Sequence, residues 1–401
     1  MRRSVALLGP AFVAAAAYVD PGNIATNVAA GARHGYLLVW VVAAASAMAV
    51  LVQYLSSKAG LATGQSLPEL CRDRYGRGTN LVLWVQAELV AIATDIAEFV
   101  GAALGLHLVF GMSLLPAGVV TGVVAFALLG LQRRGYRRFE IAVIAMLALV
   151  AAGFGYLFLA GGHPSYGGVA SGLIPRLPGG DGLTLAVGIV GATVMPHAIY
   201  LHSAMQSRRI RPADDAEART LLRFNRFDCI AGLGAAGIVN VAMLCVAAEI
   251  FAGHHVNGLG DFTTAHAELT RLAGGSAALV FGVALMASGF ASSGVGTYAG
   301  QVVMAGFTGW RIPLLVRRAV TMAPALLVLG IGANLGAVLV ASQVALCFGI
   351  PFALVPLVRL TRNRAVMGEL VNRAATTAAV VAITVVICAL DAALVYTTVA
   401  G

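Results

Sequence analysis

The sequence predicts an all-α polytopic membrane protein with about 11 transmembrane helices. Of its 401 residues, 59% are hydrophobic and only 11% are charged, and the mean hydropathy is +0.88. This composition excludes a soluble globular protein. Several windows carry few or no charges, and each is long enough to cross a hydrocarbon core of about 30 Å as a helix. These windows are residues 5–31, 36–57, 79–109, 114–131, 141–160, 183–203, 229–252, 276–307, 314–330, 336–358 and 374–400.

The basic residues predict the orientation in the bilayer. With the N-terminus in the cytoplasm, only Arg33, Arg176 and Arg271 of the 26 Lys and Arg residues fall in outer loops. Because an excess of basic residues marks cytoplasmic loops, the C-terminus is expected outside a cell (inner) membrane. The net charge of +9 is therefore interpreted as a topology signal and not as a nucleic-acid surface. The clearest carriers of the bias are Arg133, Arg134, Arg137, Arg138, Arg208, Arg209, Arg211, Arg359, Arg362 and Arg364.

The basic pair near the N-terminus and the cysteine spacing say less about the fold and function. Arg2-Arg3 before an apolar run is also typical of a signal peptide, but the run continues past Asp20 and ten more windows follow. The five cysteines contain no close pair, so the sequence predicts neither a disulfide framework nor a thiolate metal site.

Asp20-Pro21-Gly22-Asn23 interrupts the first apolar window. Pro21 cannot donate to the helical ladder and clashes with the carbonyl of Ala17, while Gly22 frees the backbone, so the helix is expected to break. Broken backbone and an ionisable group are tolerated at membrane depth only inside protein or beside water. Asp20 and Asn23 are thus candidate oxygen ligands. The alternative is a turn between two short soluble helices.

Three acids lie on one face of the third predicted span. At 100° per residue, Glu88, Asp95 and Glu98 fall within about 80° of one another, over about 15 Å of height. The stripe predicts a polar track for protons, whereas interhelical salt bridges are the structural alternative. The candidate cationic partners at this depth are Arg317, Arg318 and His197.

The sixth window contains a second interruption, Met195-Pro196-His197. Pro196 lacks an amide donor, so the carbonyl of Ala192 loses its helical partner. That carbonyl and the Met195 thioether then point into one gap. Taken alone, the motif is equally a proline kink with a core methionine.

The two interruptions occupy corresponding places, because they open two five-span units. This is the pattern of an inverted repeat of five plus five helices, whose broken helices 1 and 6 meet near the bilayer midplane. We expect one transporter domain over 1–401, with repeats at 1–160 and 181–360 and an additional helix at 372–400. One carboxylate, two neutral oxygens and a soft sulfur suit Mn²⁺ or Fe²⁺ better than Mg²⁺ or Ca²⁺.

These motifs resemble the paired signature of the Nramp divalent-metal transporters, as found in bacterial members. Thr94-Asp95-Ile96-Ala97-Glu98-Phe99, Arg317-Arg318 and Ser342-Gln343-Val344 also stand where that family carries similar residues, so the resemblance spans nearly the whole chain. It implies a LeuT-like fold and proton-coupled import of Mn²⁺ or Fe²⁺. Relatives that transport Mg²⁺ depart at the methionine, which this chain keeps.

The resemblance also implies residue roles. Asp20, Asn23, Ala192 and Met195 would be metal ligands, with Gln343 near the site in some conformations. Asp95, Glu98, His197, Arg317 and Arg318 would carry or tune the proton route. No cofactor is expected beyond the transported ion and the coupling proton, and the lipid bilayer is the expected surrounding.

Two alternatives of different class remain. An inverted-repeat symporter of a small organic substrate, such as an amino acid, would use Asp20 for Na⁺ or an amine and would not need a thioether. An intramembrane enzyme would use Asp20 and Asp95 as an acid pair, but no nucleophile motif accompanies them, so an enzyme is not expected. No Gly-rich stretch followed by Lys-Ser or Lys-Thr occurs, which argues against nucleotide coupling.

Overall fold

The computed structural model describes residues 9–133, 136–160, 165–207, 209, 214–251 and 262–400. Within these ranges every regular element is helical, which confirms the all-α class. Arg134, Arg208 and Arg211 lie outside them. The helices are α1 (Pro10–Ala17), α2 (Pro21–His34), α3 (Val39–Thr63), α4 (Leu67–Arg74), α5 (Arg77–Phe110), α6 (Leu114–Arg133), α7 (Tyr136–Ala160), α8 (Tyr166–Gly172), α9 (Gly182–Val194), α10 (Pro196–Ser207), α11 (Asp215–Phe251), α12 (Phe262–Ala273), α13 (Gly275–Thr308), α14 (Leu314–Gly330), α15 (Leu335–Thr361), α16 (Arg364–Met367) and α17 (Ala374–Ala400), with 3₁₀ turns at Gly35–Leu38 and Gly368–Leu370.

Within the described residues, each of the eleven predicted windows lies in one or two helices. By length and composition, eight helical segments of the described chain are apolar enough to cross a membrane, and α2 and α3 count among them as one segment, Pro21–Thr63. The α6 window is a shorter apolar helix, Leu114–Leu128, and α14 has 17 residues. The first and sixth windows are each divided, into α1 with α2 and into α9 with α10.

The helix pairings of the first half recur in the second. α2 packs on α11 as α10 packs on α3, and α7 packs on α13 as α15 packs on α5. Such exchanged pairings are what an inverted repeat predicts. α17 lies outside this set and packs on α15 and α9.

The central contact is between α5 and α13, and it depends on glycine. A Cβ on Gly289 would lie 2.6 Å from the backbone nitrogen of Ala102, and one on Gly105 would lie 2.5 Å from that of Met286. Any larger residue would force the two backbones apart, so these glycines permit close approach of the two helices.

Side chains from other spans satisfy the backbone that the first interruption frees. The carbonyl of Tyr18 accepts a hydrogen bond from Asn240 Nδ2 at 2.9 Å, and that of Val19 accepts one from Ser288 Oγ at 2.5 Å. Unwound backbone at membrane depth is costly without such partners. The polar residues of α11 and α13 thus hold the site's backbone in place.

Candidate metal site and ion-pair network

The first interruption turns Asp20 into the N-cap of α2. Pro21 stands at the first helical position, and Asp20 Oδ1 accepts hydrogen bonds from the backbone nitrogen of Asn23 at 2.7 Å and from Asn23 Nδ2 at 3.0 Å. Asp20 is only 1% exposed, and its Oδ2 has no hydrogen-bond partner among the described residues. A buried carboxylate oxygen aimed at no protein donor is a ready ligand for a cation.

The second interruption falls between α9 and α10 at Met195. Its backbone has φ 22° and ψ 107°, and it is the one non-glycine residue of the described chain with positive φ. Such a conformation is strained for a residue with a side chain, and it persists only where the surroundings impose it. Met195 is fully buried, so the thioether lies inside the protein.

Asn23 joins the two interruptions. Its Nδ2 donates to the carbonyl oxygen of Ala192 at 2.6 Å, and Thr193 Oγ1 donates to its Oδ1 at 3.4 Å. The sequence predicts that Pro196 leaves the Ala192 carbonyl free, and the structure shows where that carbonyl goes. It accepts its hydrogen bond from Asn23 of α2.

Gln343 on α15 closes the site from a third side. A Cβ on Gly22 would lie 1.9 Å from Gln343 Nε2, and one on Gly191 would lie 2.0 Å from the Gln343 carbonyl. The side chain is fully buried, its Nε2 donates to Ser342 Oγ at 3.0 Å, and its Oε1 has no partner in the described part of the chain. Two unpaired oxygens, from Asp20 and Gln343, therefore border the same junction.

The acidic stripe on α5 meets the two arginines of α14. Glu88 Oε2 pairs with Arg317 Nη2 at 2.7 Å, and Asp95 Oδ1 pairs with Arg318 Nη1 at 2.6 Å. Arg318, fully buried, also donates to Ser293. The structure thus confirms the two arginines as the partners of these acids, and both acids take part in interhelical salt bridges.

Glu98 differs from the other two acids because it forms no ion pair within the described residues. It is fully buried against Gly296, where a Cβ would lie 2.5 Å from Glu98 Oε2. Neither carboxyl oxygen forms a well-aligned hydrogen bond with a described residue, although the Ser292 hydroxyl lies close. The charges of Asp20, Asp95 and Arg318 all act on it, so Glu98 lies near both the interruption and the Asp95–Arg318 pair.

His197 stands beside this network and not within its ion pairs. Its Nδ1 is 3.2 Å from Thr94 Oγ1, next to Asp95 in the chain, and its Nε2 has no partner in the described chain. The ring is 2% exposed. It therefore connects α10 to α5 and keeps one nitrogen available.

A second polar chain was not predicted from the sequence. Gln53 Nε2 donates to the Tyr18 hydroxyl at 2.7 Å, and Gln53 Oε1 lies 3.0 Å from His202 Nδ1. All three residues are buried. The signal was present, since Gln53 and His202 are isolated polar residues in apolar windows.

On the predicted cytoplasmic side of the site, the start of α1 is held by polar contacts. Asp228 on α11 accepts hydrogen bonds from the backbone nitrogens of Gly9 at 3.0 Å and Ala11 at 2.9 Å, which caps the start of α1. Beside Gly9, Glu140 pairs with Arg209 at 2.5 Å. These contacts hold the inner half-helix against α7 and α11.

The opposite side is more open. A cavity of about 490 Å³ is lined by Ala25 and Arg33 of α2, Thr184 of α9, Asn334 of α15 and Leu394 of α17. It extends inward to Val344, the neighbour of Gln343. The site is thus buried, with a vestibule on the predicted outer side.

An ion-pair cluster joins the two interrupted spans at their predicted outer ends. Asp181, at the start of α9, pairs with Arg33 and lies 2.8 Å from His34 Nε2. Partial burial raises the pKa of Asp181, but the hydrogen bonds from Arg33 and His34 outweigh it and leave the pKa below its usual value. Asp181 is therefore ionised at neutral pH.

Comparison with known proteins agrees with this architecture. A family model described as natural resistance-associated macrophage protein-like, Nramp, matches residues 11–397. The chain is 50% identical to the divalent metal cation transporter MntH of Deinococcus radiodurans, covering 100% of this chain and 92% of that one. It is 47% identical to MntH of Bacillus subtilis, covering 91% of this chain and 86% of that one.

Solved structures give the same answer. A crystal structure of the Eremococcus coleocola manganese transporter matches with a TM-score of 0.88 and 31% identity, covering 97% of this chain and 85% of that one. Mhp1, a nucleobase-cation-symport-1 transporter, matches with a TM-score of 0.62 at 17% identity, which shows the shared fold alone. Because the family model covers almost the whole chain, the protein is a member of the Nramp family of multi-pass membrane transporters, which are not enzymes.

Proposed function

We propose that the protein is a proton-coupled secondary transporter that imports Mn²⁺ or Fe²⁺ into the cytoplasm by alternating access. The observation that carries the proposal is the pair of unpaired buried oxygens, Asp20 Oδ2 and Gln343 Oε1, at the junction of two interrupted helices. The MntH relatives are described as divalent metal cation transporters, and the Eremococcus protein as a manganese transporter.

The proposed ligands are Asp20, Asn23, Ala192 and Met195, with Gln343 as a further oxygen donor. Asp20 supplies the negative charge, and Met195 supplies the soft sulfur that favours Mn²⁺ or Fe²⁺ over Mg²⁺ and Ca²⁺. In the structure the amide of Asn23 donates to Ala192. Rotation of that amide by about 180° would turn Oδ1 toward the ion and release the Ala192 carbonyl, since the two amide ends are nearly isosteric.

The proposed proton route starts at Asp20 and passes Glu98 to the Asp95–Arg318 and Glu88–Arg317 pairs. Glu98 suits the first step because it is buried, lies within the field of Asp20, and forms no ion pair in the described chain. The proton and the metal would thus both bind at Asp20 and then leave it by different routes. His197 tunes this route through Thr94, beside Asp95.

Alternating access then requires that the cytoplasmic side opens while the outer vestibule closes. In this structure the inner half-helix α1 is capped by Asp228, while the outer vestibule extends to Val344. Release into the cytoplasm would separate α1 from Asp228 and close the vestibule around Arg33 and Asp181. The proposed repeats are 1–160 and 181–360, with the helix at 372–400 outside them, an N-terminus in the cytoplasm of an inner-membrane protein and an outer C-terminus.

Metal uptake into proteoliposomes under an imposed pH gradient tests the proposal. We expect uptake of Mn²⁺, Fe²⁺ and Cd²⁺, weak uptake of Mg²⁺ and Ca²⁺, and acidification of the lumen in step with the metal. A protein that moves metal equally well without a pH gradient would contradict the coupling. Uptake of amino acids in place of metal would favour the organic-substrate alternative.

A further inference from the structure

Three basic residues lie near one another at the predicted cytoplasmic ends of α3, α11 and α17. The charge of Arg373 acts on Lys58, and the charges of Arg226 and Arg373 both act on Tyr54, one helical turn before Lys58. Asn225, the neighbour of Arg226, donates to Ser57 Oγ at 2.7 Å, next to Lys58. We call the surface formed by Lys58, Arg226 and Arg373 the basic cleft.

Lys58 is unusual in this chain. It is the only lysine among the 26 basic residues, and it is 6% exposed. Its Nζ donates to Asn372 Oδ1 at 2.8 Å. Asn372 Nδ2 in turn donates to the Thr361 hydroxyl at 2.9 Å. An ammonium group has three donors, and a neutral amide oxygen does not balance its charge.

No carboxylate of the described residues forms an ion pair with the basic cleft. The ion pairs of the described chain include none of Lys58, Arg226 and Arg373. Two other arginines on the predicted cytoplasmic side are paired with carboxylates, Arg209 with Glu140 and Arg364 with Glu369. The positive-inside bias requires only surface cations, so it does not explain a buried and unbalanced one.

The position of the basic cleft indicates what balances it. In the orientation proposed above, on which this inference rests, Lys58 follows the second span and Arg373 precedes the eleventh, both at the cytoplasmic membrane surface. Phe227 and Ile230, beside Arg226 on α11, are 63% and 51% exposed. A ligand with an anionic head and apolar chains matches both the basic cleft and the exposed apolar side chains of Phe227 and Ile230.

We propose that the basic cleft binds the phosphate of an anionic phospholipid from the cytoplasmic leaflet. Arginine pairs with phosphate through two parallel hydrogen bonds, while lysine contributes a point charge. Basic pockets between transmembrane helices on the cytoplasmic side have the chemistry for such headgroups. The acyl chains would lie along Phe227 and Ile230.

Native mass spectrometry of the purified protein with added phosphatidylglycerol or phosphatidylcholine tests the site. We expect preferential binding of phosphatidylglycerol, weakened about tenfold or more by Lys58→Met and by the double variant Arg226→Gln/Arg373→Gln. The matched control is Arg77→Gln/Arg138→Gln, which removes two exposed cytoplasmic arginines and should leave the affinity unchanged. Because the arginine variants change exposed side chains, they keep the test valid if Lys58→Met fails to fold.

A second measurement uses the single lysine. The rate at which an amine-acylating reagent modifies Lys58, measured by mass spectrometry, should fall when phosphatidylglycerol is added and not when phosphatidylcholine is added. Equal protection by inorganic phosphate would overturn the phospholipid assignment in favour of a free anion. An equal loss of binding in the control variant would reduce the basic cleft to unspecific charge. Neither readout involves transport, so this site and the proposed function can fail independently.

Discussion

The side-chain amide of Asn23 donates a hydrogen bond to the carbonyl oxygen of Ala192 at 2.6 Å, and this bond joins the two interrupted helices directly. The site is therefore held together without an ion. In the proposed function an incoming metal would replace this bond and bring two positive charges to the carboxylate of Asp20.

Asp20→Asn should abolish metal transport while the protein stays folded. Removing the partner of a buried charge costs about 3–5 kcal/mol, which is more than about 100-fold in affinity. Mn²⁺ uptake into proteoliposomes measures the loss. Glu268→Gln, on the outer helix α12, is the control and should transport normally. Near-normal uptake by Asp20→Asn would exclude the site as drawn.

Met195→Ala should change metal selectivity more than protein stability. Loss of the sulfur leaves room for water, an oxygen ligand that Ca²⁺ and Mg²⁺ accept, and weakens Cd²⁺ binding by about tenfold. Cd²⁺ affinity and Ca²⁺ competition check this. Met205→Ala removes another buried methionine of α10, and it should lower stability with selectivity intact. If both variants keep the parent's preference, Met195 only fills space.

Glu98→Gln should weaken proton coupling without loss of metal binding. Glu98 forms no salt bridge in the described chain, so its neutral variant leaves no charge stranded, whereas Asp95→Asn would isolate the buried Arg318 at a cost of about 3–5 kcal/mol in stability. Proton flux during Mn²⁺ uptake gives the result, and Glu98→Asp should restore part of it. Full proton flux in Glu98→Gln would make the acidic stripe purely structural.

Asp228→Asn should favour opening on the cytoplasmic side. An asparagine offers one acceptor where the carboxylate offers two to Gly9 and Ala11, and losing such a bond costs about 1–3 kcal/mol, or about fivefold or more in population. A cysteine introduced at the buried position Ala14, in a background without other cysteines, should react faster with a thiol reagent. Asp214→Asn, at an exposed cytoplasmic site, serves for comparison. An unchanged labelling rate would separate Asp228 from gating.

Asp181→Asn should lower stability by at most about 1 kcal/mol, because the pair with Arg33 is partly exposed. The pKa of Asp181 is lower in the folded protein than in the unfolded chain, where it is about 3.9. The ionised carboxylate therefore stabilises the fold at pH values above the unfolded pKa, and this stabilisation is lost as pH falls through the folded pKa. The difference in unfolding free energy between parent and variant should be present at neutral pH and vanish in strong acid, once the pH lies below the folded pKa of Asp181. A difference that persists in strong acid would contradict the assigned pair.

The fold was largely predictable because its signals are local. Apolar windows give the spans, and Pro21 and Pro196, which mark the interruptions, are the first residues of α2 and α10. The acids and their cationic partners were also visible, since charges are rare at this depth. Which arginine pairs with which acid depends on helix register, and that emerges only from packing.

The supports of the site were not predictable in the same way. Asp228 caps α1 across more than 200 residues of sequence, and Asn240 reaches Tyr18 over a similar separation. No local pattern relates such positions. The direction of the Asn23 amide is equally invisible in the sequence, because both of its ends are polar.

The glycine contacts between α5 and α13 set what moves during transport. With backbones this close at Gly105 and Gly289, the two helices have no freedom to slide or part. They form a fixed reference frame through the middle of the protein, and α5 carries the acidic stripe within it. The proposed proton route therefore lies on this close-packed pair, while the proposed metal ligands on α2, α9 and the Met195 junction lie on other segments. In the proposed transport cycle the proton would cross the rigid pair, and the metal would bind where the helices tilt.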